Sequence, residues 1–196
     1  MTRRLGVAVW SACVWVVSAA GASGPIDPNN PPQGRFSDDW SEIYMAGGKV
    51  GYGHSVYTRE GNLVHTTTTM TLRIDRAQQP IEIKVDQKTT ELVTGAPVGF
   101  ESVMDMSVMQ TSMRGRIKNG KVTITTSQYG METKQTYDFA DGAVMTWGAF
   151  RETLLRGFEP GTKYTTAVYV PDMRLDAPVR ATTTIGEWGS FTHRGL

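Results

Sequence analysis

From Trp40 onward, apolar and polar residues alternate with a period of two, and only short turn signals interrupt the pattern. That period places successive side chains on opposite faces of a pleated strand. Gly47-Gly48-Lys49 and Glu60-Gly61-Asn62 divide the first part into hairpins. In residues 63–75, one face carries Val64, Met70, Leu72 and Ile74, and the other carries His65, Thr67, Thr69, Thr71 and Arg73. Ile81, Ile83 and Val85 alternate with Glu82, Lys84 and Asp86. Phe100, Met104, Met106 and Val108 alternate with Glu101, Val103, Asp105 and Ser107. Met113, Gly115 and Ile117 alternate with Arg114, Arg116 and Lys118. Asn119-Gly120 is the strongest short hairpin signal, because both residues tolerate positive φ. Tyr129-Gly130 marks a further turn, and strands over residues 131–139, 162–171 and 179–187 complete the series.

One segment departs from this period. Val144, Trp147, Phe150, Leu154 and Phe158 fall at helical spacing, with Asp141 placed to cap the start and Glu159-Pro160-Gly161 to end it. A meander of seven or more one-sided strands must curl or be covered. The expected fold is therefore mainly β (α+β): a long curved antiparallel sheet, or half-barrel, with one helix over about residues 142–157 packed on it.

The N-terminus has the layout of a secretory signal peptide, residues 1–22. Arg3 and Arg4 precede an apolar run over residues 5–17, and small residues follow, with cleavage expected after Ala22. The run is short for a membrane span of about 20 residues, so an uncleaved anchor is the weaker reading. Cys13, the one cysteine, lies inside the apolar run and not at a lipoprotein cleavage site. Removal of the leader leaves no cysteine, which excludes disulfides and thiolate chemistry. It also leaves 18 basic residues against 19 acidic ones. Such a balance gives no basic field for nucleic acid or an anionic membrane. Residues 23–38, with Pro25, Pro28, Pro31 and Pro32, read as a Pro-rich linker. The β domain is expected over residues 39–187. Residues 188–196 lose the alternation and read as an irregular tail, as at a truncated or frame-shifted end.

Candidate chemistry is sparse. His54 and His65 lie on neighbouring strands, but pairing across Glu60-Gly61-Asn62 sets His54 near Thr67 or Thr68 and His65 near Val56 or Tyr57, so the imidazoles do not meet. Met104, Met106, Met109 and Met113 crowd into ten residues. They admit three readings: core packing, a lining for an apolar ligand, or soft ligands for Cu(I). Met109 has the opposite parity to Met104 and Met106, which favours packing. Glu82, Asp86, Glu101 and Asp105 sit among Lys84, Lys88, Arg114 and Arg116, as cross-strand ion pairs would. No Gly-x-Ser-x-Gly, phosphate loop or His-Glu-x-x-His occurs. No catalytic, cofactor-binding or metal-binding residue is assigned. Met104, Met106, Trp147 and Phe150 are the candidate lining of an apolar site between sheet and helix.

The stretches YMAGGKVGYGHSVYTREGNLVHTTTTMTLRI, GAPVGFESVMDMSVMQTSMRGRIKNGKVTI and RGFEPGTKYTTAVYVPDMR resemble the N-terminal β-rich region of secreted bacterial transglutaminase-like proteins. The matching features are turn glycines and strand residues over about residues 40–186. The resemblance implies that chemistry belongs to a separate C-terminal domain with a Cys-His-Asp triad, which this chain lacks. The expected function is thus an exported, periplasmic or extracellular, non-catalytic interaction or scaffold module. Its partner would be a transglutaminase-like catalytic domain or another envelope protein. The alternative is a periplasmic carrier of a lipid or other apolar ligand, by analogy of architecture with the half-barrels of periplasmic lipoprotein carriers.

Overall fold

The computed structural model describes residues 26–45, 48–76, 79–106 and 109–187. The expected leader and the irregular tail lie outside the described residues. Eight strands form one antiparallel sheet in chain order: β1 (Gly34–Met45), β2 (Gly48–Glu60), β3 (Leu63–Arg76), β4 (Gln79–Leu92), β5 (Pro97–Asp105), β6 (Gln110–Lys118), β7 (Lys121–Gln128) and β8 (Met131–Asp138). The sheet stays open, with β1 and β8 at its ends. One helix, α1 (Thr146–Arg156), follows, and then a separate two-stranded ladder of β9 (Lys163–Val168) and β10 (Val179–Thr184). The mainly β architecture and, among the described residues, the single helix match the sequence pattern.

The turns behave as their residues dictate. Asn119 and Gly120 have φ of 54° and 68°, and Tyr129 and Gly130 have 52° and 74°. Two consecutive positive φ values bend a two-residue hairpin with the twist its strands need. In the β2–β3 hairpin, Glu60 faces Leu63, so His54 pairs with Thr69 and His65 with Thr58. The register is one or two residues away from the expected one, because only Gly61 and Asn62 form the turn.

The fold begins before Trp40. β1 opens at Gly34, and Phe36 is an extra residue in its register that points into the core. The segment read as a linker is docked on the domain. Pro31 is buried and Ile26 packs on the core. Arg59 donates to Asn30 and Pro31, and Arg151 donates to the Pro28 carbonyl at 2.9 Å and to Asn29 at 2.7 Å. Proline cannot donate to a ladder, but its carbonyl remains a good acceptor. Two arginines exploit this.

Among the described residues, the cover lies on one face of the sheet, the face that carries Val64, Val85, Phe100 and Val122. Beneath α1, Phe36, Tyr57, Val64, Val93 and Trp147 form one cluster, with Phe150 and Leu154 against it. Toward β7, Phe100, Val122, Ile124, Met145 and Tyr169 form a second. The opposite face carries charge and threonine. There Arg114 pairs with Glu101 at 3.0 Å across β5 and β6, and Thr69 donates to Asp86 at 2.9 Å.

The helix starts later than its spacing suggests. Gly142 turns the chain with φ of 72°, and Val144 then bridges Val168 of β9. Backbone pairing to β9 thus takes the residues that would have made the first turn. Asp141 is not the cap. Met145 holds that position, in extended conformation and with no side-chain bond of its own.

Candidate functional site

A helix start leaves backbone N–H groups without partners. Here they are buried, and a strand supplies the acceptor. Glu91, near the end of β4, accepts from the N–H of Met145 at 3.2 Å, Trp147 at 2.6 Å and Gly148 at 2.9 Å. Thr89 Oγ1 adds a fourth bond at 3.3 Å. Glu91 is fully buried. No cation pairs with it among the described residues; the positive end of α1 takes that role. Burial pushes its carboxyl up to about 7, against the pull of those four hydrogen bonds.

This contact requires close approach of helix and loop. The Cα of Gly148 lies where a Cβ on Gly95 would sit at 3.1 Å, and Gly95 has φ of 88°. A Cβ on Gly148 would meet the Gly95 carbonyl oxygen at 2.9 Å and Val144 Cβ at 2.6 Å. Two glycines therefore let α1 descend far enough for Glu91 to reach its N-terminus. Gly148→Ala should lift α1 and cost about 1–3 kcal/mol, as overpacking does. Urea denaturation of the variant checks this.

The helix covers only part of the sheet. Beyond it, the same face continues as Thr68, Met70 and Leu72 of β3, Ile83, Val85 and Gln87 of β4, and Met104 of β5. Val170, Asp172 and Met173, in the loop after β9, form the far wall. Together they enclose a recess of about 260 Å³. It is apolar along its floor and polar at one end. At that end Asp172 accepts from Ser102 Oγ at 2.6 Å and from Gln87 Nε2 at 3.2 Å. Partial burial raises the Asp172 carboxyl, and the Ser102 bond opposes that rise.

The residues expected to line an apolar site are separated in the fold. Met104 lines the recess. Met106 lies past the end of β5, where its N–H bonds to the Met109 carbonyl at 2.9 Å. Trp147 and Phe150 belong to the solid core beneath α1, their rings 6.2 Å apart in edge-to-face contact. The space between sheet and helix is filled by aromatic rings, so the recess opens beside the helix. His54 and His65 also stay apart. His54 Nε2 meets Asp38 at 2.6 Å while its ring stacks on Trp40 at 4.2 Å, and His65 Nδ1 lies 3.1 Å from Thr90 Oγ1. Among the described residues, no three His, Cys, Asp or Glu side chains converge as a metal site, and no helix is long and apolar enough to cross a membrane.

Neither Glu91 nor Asp172 was picked out by the sequence motifs. Parity carried the signal for Glu91. It shares phase with Val85, Gln87 and Thr89, so it points inward, where a lone carboxylate demands a special partner. Asp172 lies in an irregular loop and carries no such signal.

Comparison with protein-family models, with curated proteins and with solved structures finds no match.

Proposed function

We propose that this chain is an exported, non-catalytic β module that receives an apolar segment of a partner protein in the recess beside α1. One observation carries the reading. An apolar strip of the covered face, Met70, Leu72, Ile83, Val85 and Met104, runs past the end of the helix cover and, among the described residues, is walled by Val170, Asp172 and Met173. Pockets that hold small molecules usually measure about 300–1,000 Å³ and enclose most of the ligand. A recess of about 260 Å³ with an open side fits a few side chains better than a whole lipid. The resemblance to the front part of transglutaminase-like proteins suggests a catalytic domain of that kind, or another envelope protein, as the source of those side chains.

A second reading is a carrier for an apolar ligand. Met70, Met104 and Met173 favour it, since thioether side chains reshape easily around varied apolar partners.

One experiment separates the two. A photoreactive side chain replaces Leu72, and the protein is irradiated in cells that make it. The expected product is a covalent adduct with another protein. Met104→Lys should lower its yield about tenfold or more, since a charge in the floor replaces apolar contact. An adduct with only the mass of a lipid selects the carrier. The absence of any adduct overturns both readings.

A further inference from the structure

The recess has a polar end, and that end is electrically unbalanced. Asp172 makes no ion pair among the described residues. The nearest cation in sequence, Arg174, is engaged by Asp176 at 2.7 and 3.2 Å. Lys84 and Lys88 of β4 have the opposite parity to Gln87 and stand on the other face of the sheet, where Lys84 meets Glu82 at 3.0 Å. The groups that hold Asp172, a serine hydroxyl, a glutamine amide and its own backbone N–H, are neutral. Two carboxylate oxygens offer about four acceptor sites, and these three contacts leave room for a further donor. A carboxylate set at the lip of an apolar trough, with acceptor capacity left, complements one kind of visitor.

We infer that the segment bound in the recess carries a lysine or arginine next to its apolar residues, and that Asp172 receives that cation. The apolar residues lie along Met70, Val85 and Met104, and the basic side chain reaches over Gln87 and Ser102 to the carboxylate. Asp172 is then the specificity-determining residue of the site: it admits basic-apolar segments and repels acidic ones. This rests on the recess being a trough for a partner segment, as proposed above.

The test selects short random peptides displayed on phage against the immobilised protein, and counter-selects on Met104→Lys. The expected winners combine large apolar residues with an adjacent lysine or arginine. For a winning peptide, exchange of that lysine for norleucine should weaken binding about tenfold, equivalent to about 1.4 kcal/mol. On Asp172→Asn the two peptides should bind alike. Asparagine keeps the loop in place, because its carbonyl still accepts from Ser102 while Gln87 turns its amide to accept in its place. Winners that are apolar but show no basic preference, or a lysine preference that survives Asp172→Asn, overturn the inference and leave the trough standing. A selection that yields no peptide sensitive to Met104→Lys overturns the trough itself, and the inference with it.

Discussion

Glu91→Ala should cost the protein about 3–5 kcal/mol and cause the cover over β3 and β4 to loosen first. The change removes the acceptor of three buried helix N–H groups at once. Each group then keeps its desolvation cost with no compensating bond, about 1–3 kcal/mol apiece before relaxation. Water entering the vacated space recovers part of that sum. Glu91→Gln keeps the size of the side chain and tests the geometry more finely. Its carbonyl can serve Met145 and Gly148 in place of Oε1, but its amide nitrogen then faces the Trp147 N–H, donor against donor. The glutamine variant should fall between wild type and alanine. Urea melts monitored by circular dichroism give the order, and hydrogen exchange at Trp147 and Gly148 should speed up before exchange in β6 and β7 does.

The same carboxyl makes stability depend on pH. Its folded value is raised from 4.5 to about 7 by burial. The folded protein therefore binds more protons than the unfolded chain between those values, and stability falls as pH rises through that window. The full contribution is present below about pH 4.5 and is lost above about pH 7; its size is of the order of 3 kcal/mol. Protonated Glu91 remains satisfied, because Oε2 can donate its new proton to Thr89 Oγ1 and still accept from Trp147. Titration of Glu91→Gln should remove this slope and leave that of the surface carboxylates.

How much of this was legible in advance follows from what each feature depends on. Alternation is a local property, so Val64, Leu72, Phe100 and Ile117 declare their face and the meander follows from them. Asn119-Gly120 declared its turn because positive φ is a property of single residues. The start of α1 is not legible locally, because it depends on distant partners. Val144 pairs with Val168, and the cap of the helix comes from Glu91, more than fifty residues back along the chain. Asp141 had the right chemistry for a cap, but the chain needed its turn elsewhere. The docked N-terminal segment was hidden for a similar reason. Its prolines argued against a strand, which was sound, but not against burial beneath Arg59 and Arg151. The sequence pattern places an apolar site between sheet and helix, near Trp147 and Phe150. Their neighbours Phe36 and Tyr57 filled that space, and the trough opened where the helix ended.

Trp147→Ala should be the most damaging apolar truncation, at about 3–5 kcal/mol. The indole is fully buried and meets Phe36 at 5.5 Å, Tyr57 at 6.4 Å and Phe150 at 6.2 Å. Its Nε1 donates to the Val93 carbonyl at 3.0 Å, so truncation leaves a cavity and an unpaired acceptor together. Trp147→Phe fills most of the cavity but still strands Val93, and should cost about 1–3 kcal/mol. Fluorescence reports the change directly. Trp40 is half exposed, so Trp147 supplies the blue-shifted emission of the described domain, and the phenylalanine variant should lose it. The damage should also be regional. Trp147 belongs to the cluster under α1, whereas the recess is built from β3, β4, β5 and the loop held by Tyr169 and Asp172. While Trp147→Phe remains folded, peptides selected for the recess should therefore bind it as they bind wild type. If their affinity instead falls in step with stability, α1 and the recess form one unit, and the helix is part of the binding device.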